Sequence, residues 1–182
     1  MIITLSGLPG SGKSTVGRMV AEHLGYQFYS MGDLRGKMAM DRGITIDELN
    51  EIGKSEDWTD REVDEYQKKL GETEDNFVID GWVSFHFIPQ SFKVFLDIDP
   101  TVGATRIFEH QRPDEAQNVS VQETQKRLAK RVSDTDARYQ KYYGVSFLDR
   151  SQFDLVIDTS DKTPEEVAGL ILAAAPSFDH IK

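Results

Sequence analysis

A glycine-rich segment near the start of the chain, "GLPGSGKS" at residues 7–14, follows directly on the short apolar run "IITLS". Its spacing matches the P-loop pattern, in which a chain leaves a strand, surrounds a phosphate and enters a helix. The glycines allow positive φ and carry no Cβ, so successive backbone N–H groups can converge on phosphate oxygens. Apolar residues then recur at helical spacing from Val16 to Leu24. We therefore predict a binding site for a nucleoside triphosphate.

Two side chains of this segment carry the predicted chemistry. Lys13 supplies a positive charge for the β- and γ-phosphates, and the Ser14 hydroxyl is placed to ligate magnesium. The helix that follows directs the positive end of its dipole at the same anion. The predicted triphosphate-binding residues of this segment are Gly7, Leu8, Pro9, Gly10, Ser11, Gly12, Lys13, Ser14 and Thr15.

A carboxylate at the end of a second apolar run adds to the predicted magnesium site. In "VIDGW", Asp80 ends an otherwise apolar strand. An acid at that position suits hydrogen bonding to a water molecule bound by magnesium. The alternative is a turn residue before Gly81, since Asp-Gly is a common turn pair. Because the P-loop pattern is present, we favour the magnesium role and predict a metal site at Ser14 and Asp80.

The composition limits the other classes of function. The 182 residues, 38% of them hydrophobic, suffice for one domain with a full core. The absence of cysteine excludes disulfides and thiolate metal sites. A net charge of -10 opposes general binding to nucleic acids or anionic membranes. Since the sequence contains neither a signal-like start nor an apolar run of membrane-spanning length, we expect a cytoplasmic protein and take it to be a monomer.

Five short apolar runs alternate with helical patterns along the chain, at residues 2–6, 27–30, 77–80, 92–98 and 153–158. This alternation predicts an α/β fold with a parallel sheet covered by helices on both faces and ligands bound beyond the carboxyl ends of the strands. The long connection 31–76 predicts an inserted subdomain of about three short helices. Residues 99–152 predict a helix ending near Arg112, a polar loop and a long helix to about Tyr143.

Capping signatures mark four of the predicted helix starts. The pairs are Thr45 with Glu48, Thr59 with Glu62, Ser120 with Glu123, and Thr163 with Glu166. Asp99-Pro100 adds an N-cap followed by proline at the first helical position. Acidic residues are concentrated at 41–75, where we expect solvated helix faces.

Five arginines lie in or near the helices of residues 99–152: Arg106, Arg112, Arg127, Arg131 and Arg138. We expect Arg127 to form a surface ion pair with Glu123, four residues earlier. A separation of seven puts Arg131 and Arg138 on one face of their helix. Guanidinium groups neutralise the charge that accumulates on a transferring phosphoryl group. Because an alcohol acceptor needs a base and a phosphate acceptor needs only orientation and charge neutralisation, the arginines favour a phosphate acceptor.

An ordered set of segments resembles the nucleoside monophosphate kinases, most closely the archaeal-type cytidylate kinases: "GLPGSGKST", "SMGDLR", "VIDGW", "KVFLDIDP", "RYQKYYG" and "LVIDTSDKTPEEV". The likeness covers nearly the whole chain and implies a three-layer P-loop NTPase fold that uses ATP and Mg²⁺. It implies a core of residues 1–30, 77–106 and 121–182. It also implies a monophosphate-binding subdomain at 31–76 and a lid at about 107–120.

The resemblance further implies roles for single residues. Those implied to neutralise transition-state charge are Lys13, Arg106, Arg131 and Arg138, and Arg112 is implied to contact ATP. Those implied to bind the acceptor are Ser30, Asp33, Arg35, Asp80, Gly81 and Trp82. Two positions depart from the family pattern. Trp82 stands where these kinases usually carry arginine. The usual position of the second arginine is Gly36 here, so Arg35 or Lys37 would have to serve in its place.

Three hypotheses about function remain open at this stage. The first is an ATP- and magnesium-dependent kinase that phosphorylates a nucleoside monophosphate, CMP or dCMP. The second keeps the enzyme class but changes the acceptor to AMP or to a small-molecule alcohol, with Asp33 as the base. The third is a nucleotide-dependent switch or binding module, which would bind ATP without releasing ADP. We rank the switch last, because it needs no arginine cluster for a second phosphate.

Overall fold

The computed structural model describes residues 1–56, 58–110 and 119–175. Its centre is a sheet of five strands: β1 (Ile2–Gly7), β2 (Gln27–Ser30), β3 (Phe77–Asp80), β4 (Phe92–Asp97) and β5 (Leu155–Asp158). The strand order is β2-β3-β1-β4-β5, and every pairing is parallel. The predicted five-stranded parallel sheet is therefore confirmed, although β5 begins at residue 155 and not at residue 153.

Eight α-helices lie in the described residues: α1 (Lys13–Leu24), α2 (Met31–Asp41), α3 (Ile46–Gly53), α4 (Trp58–Thr73), α5 (Ser84–Phe87), α6 (Pro100–Glu109), α7 (Val121–Tyr143) and α8 (Pro164–Ala174). Three of them, α2 to α4, occupy the long connection between β2 and β3, as predicted. Arg112 and most of the predicted polar loop lie outside the described residues. In the part of the chain that is described, no helix combines the length and apolar character needed to span a membrane.

The central strands β1 and β3 are buried on both sides, and alternate side chains along them enter different cores. Ile3 and Leu5 pack with residues of α1 and α8. Phe77 and Ile79 point to the opposite face, against α2, α3 and α4. A third cluster on that face gathers around Phe147 and joins β4 to α7. Because a strand directs successive side chains to opposite faces, this packing gives the three layers expected from the sequence.

Three of the four predicted capping signatures act as helix starts. Thr45 and Thr163 each form a reciprocal capping box with the glutamate three residues later. Ser120 accepts a hydrogen bond from the backbone N–H of Glu123. Asp99 caps α6 immediately ahead of its proline, so most of the helix boundaries follow from local chemistry.

Most described acids of residues 41–75 are exposed, as expected, but the predicted helix start at Thr59 is wrong and two of the acids are buried. Helix α4 begins at Trp58, so Thr59 lies inside the helix, where it is fully buried. Asp60 and Asp64 are also buried and do not form a solvated face. Partners from other elements contact both: two arginines contact Asp60, and Tyr143 donates a hydrogen bond to Asp64 in addition to the one from Gln67 of α4. Tertiary packing has therefore turned part of an acidic helix inward.

Candidate active site

The glycine-rich segment forms a tight loop between β1 and α1, at the carboxyl end of the central strand. Gly7, Gly10 and Gly12 all have positive φ, at 145°, 81° and 86°. Gly10 also lies against α6: a Cβ built there would be 2.5 Å from the Gly103 carbonyl oxygen. Since only glycine fits this conformation and this contact, the loop depends on Gly10 and Gly103 together.

Lys13, the first residue of α1, folds back over its own loop. Its Nζ donates hydrogen bonds to the carbonyl oxygens of Gly7 at 3.0 Å and Leu8 at 2.8 Å. It also lies 5.8 Å from the ring centroid of Trp82. Burial lowers the pKa of Lys13 to about 8; the charge of Asp80 raises it and that of Arg131 lowers it further. The ammonium group is thus poorly solvated, and an anion binding in the loop would stabilise its charged form.

Ser14 and Asp80 meet where the start of α1 faces the end of β3. Ser14 Oγ donates to Asp80 Oδ2 at 2.5 Å, which links the first turn of α1 to the end of β3. Asp80 is buried, and its pKa is raised by that burial, although hydrogen bonds from Ser14 and Ser30 and the charge of Lys13 oppose the shift. The pair presents two oxygen atoms of the kind that Mg²⁺ prefers.

A cleft of about 640 Å³ opens around these residues. The residues that the sequence predicted and that line it are Pro9, Gly10, Ser11, Gly12, Lys13, Ser14, Thr15, Ser30, Asp80, Gly81, Trp82, Arg106 and Arg131. The segment after β5 and the start of α8 also contribute, through Thr159 and Pro164. The carboxyl ends of β1, β2, β3 and β5 therefore face one space, where ligands of parallel sheets are expected.

Arg106 bridges the two sides of this cleft. Its Nη2 donates to the carbonyl oxygens of Thr159 at 3.0 Å and Ser160 at 3.2 Å, and its Nη1 approaches the carbonyl oxygen of Gly10 at 3.5 Å. One guanidinium plane thus connects the P-loop to the segment that follows β5.

Arg131 and Arg138 do not reach the cleft together, contrary to our expectation. Arg131 lines the cleft near Lys13. Arg138 is buried, and its Nε lies 2.9 Å from Asp60 Oδ2. A separation of seven residues corresponds to about 10 Å along a helix axis, so α7 carries Arg138 beyond the cleft.

Arg35 joins Arg138 at the same carboxylate. Its Nη1 donates to Asp60 Oδ1 and to the carbonyl oxygen of Thr59, both at 2.7 Å. Like Arg138, it lies outside the residues that line the cleft. The sequence indicated neither this cluster nor Asp60, because Asp60 sits in a run of acids that read as solvated.

Three further residues that the sequence singled out also have contacts with other side chains. Asp33 pairs with Arg18 at 3.1 Å, where both side chains are exposed. Trp82 is partly buried and packs edge-on against Phe147 at 4.6 Å between ring centroids. Arg127 contacts Asp47 of α3 at 3.3 Å, which joins α7 to the helical insertion.

The strand order, the glycine-rich cradle after β1 and the carboxylate at the end of β3 define a P-loop kinase. The chain belongs to the cytidylate kinase-like family, whose model matches residues 2–161. Cytidylate kinase from Natronomonas pharaonis is 35% identical over 182 residues, which covers 98% of this chain and 91% of that protein. The predicted resemblance to nucleoside monophosphate kinases is confirmed by these matches.

Two further similarities extend the comparison. The S-adenosylmethionine-dependent nucleotide dehydratase of Lacinutrix mariniflava is 39% identical over 171 residues, which is 93% of this chain but 35% of that longer protein. Among solved structures, shikimate kinase from Aquifex aeolicus superposes with a TM-score of 0.60 at 26% identity, over 96% of this chain and 95% of that one. The same architecture is therefore found in kinases with different acceptors.

Proposed function

We propose that the chain transfers the γ-phosphoryl group of ATP to CMP, with dCMP as a second acceptor, and releases CDP and ADP. The observation that carries this proposal is the single cleft lined by Lys13, Ser14, Asp80 and Arg131 in a member of the cytidylate kinase-like family. Phosphoryl transfer requires positioning and charge neutralisation more than covalent chemistry by the protein. The cleft offers both a backbone cradle and cationic side chains.

ATP would bind on the side of the cleft formed by the P-loop. Backbone N–H groups of residues 7–15 would surround its phosphates, and Lys13 would leave the carbonyl oxygens of Gly7 and Leu8 to contact the β- and γ-phosphates. Arg106 and Thr159 border the part of the cleft beyond the loop, where the nucleoside of ATP would extend.

Ser14 and Asp80 would hold Mg²⁺. Within the described ranges, no group of three or more His, Cys, Asp or Glu residues could hold a metal ion. A site with so few protein ligands fits Mg²⁺, because this ion retains water molecules and takes substrate phosphates as ligands. Bound there, Mg²⁺ would neutralise charge on the β- and γ-phosphates.

CMP would bind between the P-loop core and the helical insertion. Arg131 would neutralise charge on the phosphates near Lys13, together with Arg106. Arg138 lies about 10 Å farther along α7 than Arg131, a distance comparable with the length of a nucleoside monophosphate. Arg35 of α2 joins it at Asp60, and the two arginines would hold the acceptor away from the reacting phosphorus. The phosphate of CMP is already anionic at neutral pH, so the transfer needs no general base. The division into core, monophosphate-binding subdomain 31–76 and lid 107–120, with Arg112 near ATP, is part of this proposal.

A coupled assay of ADP release tests this function against the alternatives. We expect the highest kcat/KM with CMP in a panel that also contains dCMP, UMP, AMP, GMP and shikimate. A preference for AMP or shikimate would transfer the assignment to the second hypothesis, with Asp33 as the base for an alcohol. Tight binding of ATP without ADP release for any acceptor would favour the switch. Lys13→Met, which removes the charge, should abolish release above background.

A further inference from the structure

A buried charged cluster outside the cleft joins three separate helices. Arg35 comes from α2, Asp60 from α4 and Arg138 from α7. Asp60 is only 2% exposed, and it contacts both guanidinium groups, at 2.7 Å and 2.9 Å. A single carboxylate therefore lies between two buried cations.

The two arginines are held differently. Arg35 donates to Asn50 Oδ1, Thr59 O and Asp60 Oδ1, whereas its Nη2 is buried and has no hydrogen-bond partner within the part of the chain that the structure describes. Arg138 Nε lies within ion-pair distance of Asp60 Oδ2, but the geometry of this contact is not that of a hydrogen bond. Charge alone therefore holds Arg138 at this carboxylate.

The ends of both guanidinium groups converge at the end of α3. A Cβ built on Gly53 would lie 3.5 Å from Arg35 Nη2 and 3.6 Å from Arg138 Nη1. The two groups are close enough to repel each other, because the pKa of Arg35 is lowered by burial and also by the charge of Arg138. The Asp60 carboxylate contacts both groups and offsets this repulsion. Removing its charge would leave the two arginines repelling each other.

We propose that Asp60 is the positioning residue for the acceptor: it holds Arg35 and Arg138 side by side so that their remaining N–H groups face one ligand. This inference rests on the proposed function, in which both arginines bind the monophosphate. Asp60 itself does not contact the substrate. When its charge is removed, the guanidinium groups separate and acceptor binding weakens, while the P-loop and the ATP site are left as they are.

The variant Asp60→Asn tests this role, with Asp64→Asn as the matched control. Asp64 lies one turn later on the same buried face of α4, but its hydrogen bonds come from Tyr143 and Gln67. For Asp60→Asn we expect KM for CMP to rise by about tenfold or more, with KM for ATP within about twofold of wild type. For Asp64→Asn we expect a change in Tm, with both KM values within about twofold.

Coupling to Arg138 separates positioning from a general structural effect. The increase in KM for CMP caused by Asp60→Asn is measured in wild type and again in an Arg138→Met background. In the Arg138→Met background this increase should be smaller by a factor of about three or more, because the repulsion between the two arginines has been removed. If Asp60→Asn is not recovered as a folded protein, the D60N/R138M double variant, which removes one charge of each sign, is compared with Arg138→Met. Relative to that single variant it should show a further raised KM for CMP and an unchanged KM for ATP.

Either of two results would overturn the role of Asp60: an unchanged KM for CMP in these variants, or equal increases in both KM values. Failure of the proposed function is distinguishable from this outcome. In that case wild-type protein itself would phosphorylate no nucleoside monophosphate. If wild type turns over normally and Asp60→Asn has an unchanged KM for the acceptor, the positioning role is wrong and the proposed function stands.

Discussion

Ser14 Oγ donates to Asp80 Oδ2 across 2.5 Å and thereby joins the P-loop helix to the end of β3. The carboxylate in this contact is buried, and its burial raises its pKa, so the fold does not benefit from its charge. A buried charge that the fold does not need is typical of a functional site.

Asp80→Asn should separate stability from activity. Because the substitution removes a buried charge without changing the size of the side chain, Tm should stay the same or rise. Because the metal site would be lost, kcat should fall by roughly 100-fold or more. Differential scanning fluorimetry and steady-state kinetics check the two halves. Asp97→Asn, at the end of β4 and paired with Arg150 at 3.0 Å, is the control and should lower Tm but leave kcat unchanged.

The pH dependence of ATP binding should report the pKa of Lys13. In the nucleotide-free protein this pKa is lowered to about 8, so the ammonium is charged below that pH and neutral above it. ATP binds the charged form, and kcat/KM for ATP should therefore fall as pH rises through about 8. A profile measured from neutral to strongly alkaline pH checks this. Lys13→Arg, whose side chain stays charged, should lack the descending limb. A flat wild-type profile would contradict the expectation.

The fluorescence of Trp82 should respond to ATP. The Lys13 ammonium lies 5.8 Å from its ring and must move when it contacts phosphate, which changes the field at the indole. Trp58, the other tryptophan, packs with Arg42 at 5.0 Å from that guanidinium to the ring centroid. We expect Trp58→Phe to keep the emission change on adding ATP and Trp82→Phe to lose it. The opposite assignment would mean that Lys13 does not move as proposed.

Substitutions at two helical glycines test whether the P-loop depends on its close contact with α6. A Cβ at Gly103 would lie 2.8 Å from the carbonyl oxygen of Pro9, so Gly103→Ala must displace the loop. Displacements of this kind cost up to about 100-fold in rate, and we expect kcat/KM for ATP to fall by roughly tenfold or more. At Gly169 in α8, by contrast, a Cβ would point into open space, with no atom of another described element within 4 Å. Gly169→Ala should raise stability by up to about 1 kcal/mol and leave the kinetics unchanged.

The features that the sequence predicts well are local. The P-loop, the capping boxes at Thr45 and Thr163 and the apolar segments that form the strands each depend on residues close together in the chain. Asp80 belongs to the same group, because the end of an apolar strand in this fold has a known position relative to the P-loop.

The features that the sequence misses depend on how distant elements pack. Arg131 and Arg138 share a helix face, but α7 is 23 residues long, and only its middle passes the cleft. Asp60 reads as a solvated acid until α2 and α7 bring two arginines to it. Gly103 looks like an ordinary helical glycine, and only the approach of the P-loop gives it a role. Such contacts cannot be predicted from the spacing of residues along the chain.

Phosphorus NMR of a reaction with ATP, Mg²⁺ and CMP directly tests transfer between two nucleotides held in one cleft. We expect the γ-phosphorus signal of ATP to fall while the β-phosphorus signals of CDP and ADP grow together in equal amounts. Accumulation of inorganic phosphate with CMP left unchanged would contradict it.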